Sequence, residues 1–315
     1  MISRSELSHL IERFGREGVV VELGQGDLPM VRVSNKSCTG QVYLHGAHVT
    51  DWTPRGFDPV LFVSARSSYE RGKAIRGGVP ICFPWFGPGT SVTRPSVDGK
   101  LLGVAHGFAR TSEWTLAAVR QGPGKLSTSV IFELDADDAI RAIWPHEFHA
   151  TYTVTFGQKL GMSLEVVNKD VAPFTYESAL HTYLKVGDVR LLRIGGLRET
   201  EYLAKIEGEG LFTQTDDPLV LSGETDRVYR NTTAAISVTD PTLGRVVTNT
   251  KNDSKSTVIW NPWEEKSVSS AGMSAGEWLH MLCVETANTH DHAVVLAPGQ
   301  KHVMHACIEA SAIPT

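Results

Sequence analysis

Cysteine is scarce. The chain has four in 315 residues, Cys38, Cys82, Cys283 and Cys307, scattered with no CxxC pair. That spacing signals neither a zinc knuckle nor a disulfide framework, and it suits a reducing cytoplasm. Long apolar runs are also missing, so no membrane span is expected. The first fifteen residues interleave Arg4, Glu6, Glu12 and Arg13 with apolar side chains and lack the uninterrupted core of a signal peptide. Positive charge is in deficit. A formal net charge of -5 argues against a nucleic-acid or anionic-membrane binder, which needs a positive field over much of its surface. An anionic small molecule would then have to meet a local cationic pocket. No repeat unit is visible and no composition break marks a linker, so residues 1–315 are read as one domain, with residues 1–18 as a helical extension.

The helical extension rests on Leu7, Leu10, Ile11 and Phe14 at helical spacing, a capping serine before them and Gly15 as a stop. Beyond it the period becomes two. Phe148, Ala150, Tyr152, Val154 and Phe156 alternate with polar residues, and Leu160, Met162, Leu164 and Val166 follow after Gly157-Gln158-Lys159, which predicts one antiparallel hairpin over residues 147–168. Further strands are expected at residues 19–23, 30–34, 41–52, 60–64, 127–134, 180–186, 257–260, 278–285 and 303–308. Helical patterns long enough for crossovers are few, so a parallel sheet is unsupported. The expected fold is all-β, a large antiparallel β-sandwich with a short N-terminal helix.

Several motifs invite chemistry. Gly272-Met273-Ser274-Ala275-Gly276 matches the nucleophile pattern G-x-S-x-G, but that pattern requires a strand-to-helix turn, and here a small-residue loop leads into a strand. A surface loop is the better account. His45 with His48, and His146 with His149, are three apart in strand patterns, which puts the rings on opposite faces. His290 and His292 keep a plausible metal spacing but have no cysteine nearby, and loop histidines are the better account of them. Arg76-Gly77-Gly78, with Pro80, Pro84, Phe83, Trp85 and Phe86 behind it, would let the backbone approach an anion or a sugar face closely. On its own it reads equally well as a packed connection. His106 and Arg110, four apart after a glycine-containing loop, are open to the same two readings.

Taken in order, Ile75-Arg76-Gly77-Gly78-Val79-Pro80, Phe83-Pro84-Trp85-Phe86-Gly87, His106-Gly107-Phe108-Ala109-Arg110, Leu180-His181-Thr182-Tyr183, Glu224-Thr225-Asp226-Arg227-Val228-Tyr229, Asn261-Pro262-Trp263 and Cys283-Val284-Glu285 resemble the hexose-6-phosphate mutarotases of the aldose-1-epimerase superfamily. The resemblance runs from about Val42 to the C-terminus. It implies the galactose mutarotase-like sandwich, His181 as general acid, Glu285 as general base, His106 as a sugar contact, and Arg76 and Arg110 as phosphate contacts. It also implies a hexose 6-phosphate as partner, with no cofactor and no metal; a monomer is expected, with an oligomer left open. One position departs. The family aspartate that contacts sugar hydroxyls falls at Ala204, in Tyr202-Leu203-Ala204-Lys205, so Glu201 or Glu207 is expected to replace it or the sugar specificity to differ.

Mutarotation suits this set. A proton leaves the C1 hydroxyl, another reaches the ring oxygen, the ring opens to an aldehyde, and rotation about C1-C2 precedes reclosure. A carboxylate beside an imidazolium is expected to supply both transfers, each charge stabilising the other. Glu285 shares its strand parity with Leu279, Met281 and Cys283 and should be rigidly held. An epimerase of unphosphorylated aldoses, a sugar-phosphate-binding protein without turnover, and a metal enzyme built on His290 and His292 are the competing functions.

Overall fold

The computed structural model describes residues 2–90, 93–206, 208, 210–269 and 272–314. Ser3, rather than a later serine, opens the helix Arg4–Phe14. Its hydroxyl accepts from the Glu6 amide while the Glu6 carboxylate accepts from the Ser3 amide, and the Gly15 amide closes the helix on Ile11. Phe14 is buried, and Leu7 and Leu10 pack beside it.

The rest is built from antiparallel strands. One eight-stranded sheet runs Arg193–Gly195, Ile236–Asp240, Arg245–Asn252, Lys301–Ala312, Lys159–Asn168, Phe148–Phe156, Thr128–Asp135, Thr115–Gln121. A second follows the order Leu211–Thr213, Glu201–Ala204, Thr225–Tyr229, Ser256–Asn261, Met281–Asn288, Ser178–Leu180, Ile81–Cys82, with Tyr183–Lys185 also paired to Met281–Asn288. Four strands between Val19 and Pro54 form a further antiparallel sheet. No helix among the described residues is long and apolar enough to cross a membrane.

The predicted hairpin is present, with Phe148 opposite Asn168 and Phe156 opposite Leu160. Its alternation is the cause. Phe148, Ala150, Tyr152, Val154 and Phe156 are all buried, and a one-residue slip would turn them outward. Leu282 and Val284, on the second sheet, face the same large core as these residues. On the other face of their strand, Cys283 and Ala287 belong to smaller apolar clusters. The strand Met281–Asn288 is therefore buried on both faces, in keeping with the apolar run Met281–Val284 that precedes Glu285.

Three predicted strands are divided or shortened, and residues 60–64 make only isolated bridges at Leu61 and Val63 in place of the expected strand. Residues 41–52 break into Cys38–Tyr43 and Val49–Pro54, because Gly46 and Ala47 take positive φ and turn the chain. Residues 180–186 break at His181 and Thr182, where the Thr182 amide turns back to the Leu180 carbonyl, while the His181 amide still donates to Pro80 beside the neighbouring strand Ile81–Cys82. The strand at 278–285 begins later, at Met281, and runs to Asn288. Leu279 lies in the one-turn helix Glu277–His280 before it and does not share the Glu285 face. Ser274 precedes that turn, its amide bound to the Glu277 carboxylate, so the strand-to-helix elbow of a nucleophilic serine is absent there.

Candidate active site

A cavity of about 270 Å3 opens on the second sheet, lined by Arg76, Phe86, His106, Arg110, His181, Tyr183, Lys205, Asp226, Val258, Trp260, Lys266 and Glu285. All five residues singled out in the sequence, Arg76, His106, Arg110, His181 and Glu285, line it. Its size is just under the usual range of small-ligand sites.

Glu285 sits in the middle of an interior strand, opposite Val258. His181 occupies the break between two short strands that pair with the same neighbour, and its ring stacks on Tyr183 at 4.8 Å. The outcome is a contact of 3.3 Å between His181 Nε2 and Glu285 Oε1. Glu285 Oε2 and His181 Nδ1 are buried with no hydrogen-bond partner among the described residues. Buried polar atoms of this kind are costly unless a ligand or water engages them.

The electrostatics differ from the expected ion pair. Burial pushes the Glu285 carboxyl well above the usual carboxylate range, and the nearby Asp226 adds to the shift while Lys205 and Arg110 oppose it. Burial likewise pushes His181 well below its ordinary value, helped by His106, Arg110 and Arg76. Desolvation outweighs a single contact at 3.3 Å, so the pair is held towards its neutral forms.

The arginines come from loops. The segment ending at Arg76-Gly77-Gly78 is pulled against the strand at Val49: the Gly78 amide bonds Phe62 and the Val79 amide bonds Val49. A Cβ on Gly78 would lie 2.1 Å from the Val49 carbonyl oxygen, so no other residue fits without displacing the backbone. Arg76 Nη1 is 3.5 Å from the Tyr183 hydroxyl. Arg110 donates from Nη2 to the Ala105 carbonyl, and its Nε is buried without a hydrogen-bond partner among the described residues.

Sequence reasoning missed several contributors. His45 and His48 are both fully buried, not spare: His45 Nε2 contacts the Lys73 carbonyl at 2.8 Å, and His48 Nε2 donates to the Gly77 carbonyl at 2.7 Å. They pin the chain on either side of Arg76. Glu177, 1% exposed, accepts from the Phe86 amide, the Thr93 hydroxyl and the His290 amide, tying the connection that carries Phe86 and Thr93 to the turn at His290 beside the cavity wall. Neither role has a local sequence signature.

At the Ala204 departure, Glu201 does not line the cavity. Ala204 is buried away from the cavity lining, Glu201 is exposed, and Glu207 lies outside the described residues. The second carboxylate lining the cavity is Asp226, 3.5 Å from the Lys205 ammonium, which also stands over the Phe86 ring. A signal was present in the sequence, since Thr225-Asp226-Arg227 belongs to the motifs quoted above.

His290 and His292 lie in a one-turn helix, where His292 Nε2 accepts from the Asn231 amide. They form no cluster of metal ligands. Among the described residues the one group with three ligand atoms within 4.8 Å of one another is His181, Cys283 and Glu285. Its fit to a cation is poor. Burial and the neighbouring Glu285 hold the Cys283 thiol protonated, and Arg76 and Arg110 add positive charge beside it.

Fold and cavity together define a sugar isomerase. Residues 29–306 match the model of the aldose 1-epimerase family, and the chain belongs to that family, whose members are isomerases acting on carbohydrates. Among its relatives is a Salmonella typhimurium protein named "Putative glucose-6-phosphate 1-epimerase", 34% identical over 82% of this chain and 83% of that one. A Cenchrus ciliaris protein of the same name is 31% identical over 89% of this chain and 83% of its own length. In three dimensions the chain is similar to a Salmonella typhimurium protein described as a "putative mutarotase", with a TM-score of 0.85, 28% identity and 96% of each chain covered. A galactose mutarotase-like protein from Clostridium acetobutylicum shares the fold at 13% identity and a TM-score of 0.73, covering 94% of this chain and 98% of its own.

Proposed function

We propose that this chain interconverts the α and β anomers of a hexose 6-phosphate, with Glu285 and His181 moving the protons and Arg76, Arg110 and His106 holding the substrate. The observation that carries the reading is the buried His181–Glu285 contact at 3.3 Å, in a cavity also lined by Arg76, Arg110 and Lys205. The names of the relatives support the choice of a phosphorylated sugar.

The proton that burial holds on Glu285 first passes across the 3.3 Å contact to His181. The Glu285 carboxylate then takes the C1 hydroxyl proton as the C1–O5 bond breaks, O5 receives that electron pair and a proton from His181, and C1 becomes an aldehyde. Rotation about C1–C2 and the reverse transfers close the ring on its other face. The phosphate has a second part in this scheme. Arg76 and Arg110 help to hold His181 neutral, so a dianion paired with them cancels that field and lets His181 carry the proton it must deliver. Asp226 and Lys205 are placed to contact sugar hydroxyls.

The test is exchange NMR of anomer interconversion with glucose, galactose and mannose 6-phosphates beside the free sugars. Turnover is expected to favour a phosphorylated sugar. Arg76→Ala and Arg110→Ala should each lower kcat/KM for it by roughly tenfold to a hundredfold, and affect the free sugar far less. Equal rates on both substrate classes would make this an epimerase of unphosphorylated aldoses, and binding without turnover would make it a sugar-phosphate-binding protein.

A further inference from the structure

His106 is held in an unusual way. Its backbone takes a positive φ of 65°, a conformation that costs energy for a residue with a side chain. Two contacts fix it there: the His106 amide donates to the Gly87 carbonyl at 2.7 Å, and the Phe83 amide donates to the His106 carbonyl at 3.3 Å. The next residue, Gly107, allows the close approach, because a Cβ there would lie 2.0 Å from the Phe83 oxygen. The segment from Phe83 to Gly87 thus forms a cradle for the histidine.

The ring is fixed as well as the backbone. Nδ1 lies 3.3 Å from the Gly87 amide nitrogen and 3.2 Å from the Cys82 sulfur. A backbone N–H can only donate, so Nδ1 must be the accepting, unprotonated nitrogen. Turning the ring over would put a carbon where Gly87 needs an acceptor. Cys82 is fully buried on the short strand Ile81–Cys82, and burial keeps its thiol protonated and available as a donor. Burial also lowers the ring itself, to a pKa of about 3, so it does not charge in the neutral range. The ring nitrogen left for the cavity is Nε2.

We propose that Cys82 and Gly87 are positioning residues that lock His106 in a single neutral tautomer, with its only ring proton on Nε2, so that His106 meets the sugar as a donor and never as a base. The group it recognises must then offer a lone pair, as the ring oxygen or an ionising hydroxyl does and a hydroxyl acting as donor does not. The lock is a property of the substrate-free protein. Its consequence for turnover rests on the function proposed above.

Nitrogen-15 NMR of the histidine rings in the substrate-free protein tests the lock without reference to activity. His106 should show a protonated Nε2 and an unprotonated Nδ1, unchanged from pH 5 to pH 9. Cys82→Val, which removes one of the two donors, should move the His106 signals towards exchange between tautomers. It should also lower kcat/KM by roughly threefold to tenfold. Cys82→Ser, which restores a donor at the same place, should recover both the spectrum and most of the rate. A proton on Nδ1 in the unsubstituted protein would overturn the proposal, as would a Cys82→Val protein identical to it in spectrum and rate. A locked tautomer in a protein that turns over no sugar would leave the lock standing and remove the function.

Discussion

At the scale of single residues, the proposed chemistry rests on Glu285 and His181, two side chains whose burial works against their charge. Removing one tests the arrangement directly. Glu285→Gln keeps the shape and loses the base, and His181→Asn loses the acid, so each should cost about 10² to 10⁴ in kcat while a sugar phosphate still binds, as read by calorimetry. Near-normal turnover in either variant would remove the assignment. Dialysis against EDTA should leave the unsubstituted protein's rate unchanged. Loss of activity restored by zinc would instead point to the His181, Cys283 and Glu285 group. Which residues would meet here was legible through the family resemblance, whose motifs hold Arg76, His106, Arg110, His181 and Glu285, all five of which line the cavity. Their protonation was not. Burial of both His181 and Glu285 depends on residues far away in sequence, such as Trp260 and Val258, which no local pattern ties to them.

At the scale of elements, strands were legible where alternation was strict, as in the hairpin of Phe148–Phe156 with Lys159–Asn168. They were misjudged where the chain turns between apolar residues. Thr182 shows why: the sequence Leu180-His181-Thr182-Tyr183 reads as one strand, but the Thr182 amide turns back to the Leu180 carbonyl and leaves His181 at the break. The connection that carries Phe86 and Thr93 is joined to the turn at His290 through the Glu177 carboxylate, a contact between distant segments that no local pattern marks. Glu177→Ala leaves buried donors unpaired and should lower unfolding stability by about 2 to 4 kcal/mol in urea titrations. Its KM should rise more than its kcat falls, because Phe86 forms part of the cavity wall while Glu285 stays on its strand. A stability within experimental error of the unsubstituted protein would mean that water replaces the carboxylate.

At the scale of the whole molecule, buried histidines set the response to acid. Burial lowers His48 and His106 to about 3 and His181 well below its ordinary value, whereas an unfolded chain titrates each near 6.5. Between those limits the unfolded state binds more protons, so the stability these groups confer is complete above about pH 6.5 and is lost as pH falls towards 3. Glu285, whose pKa is raised, runs the other way and offsets part of that loss. The urea midpoint should therefore fall between pH 7 and pH 5, and less steeply in His48→Gln. A flat profile would show that these rings are hydrated. The placement of the site has one more consequence. His181 and Glu285 belong to the pairing of an interior strand with its neighbours, whereas Arg76 and Arg110 stand on connections outside the sheets. Reaction and clientele are thus inherited separately. Grafting other sequences onto residues 65–76 and 105–112 should redirect the protein to sugars with a different sixth carbon, while the machinery that opens the ring stays where it is.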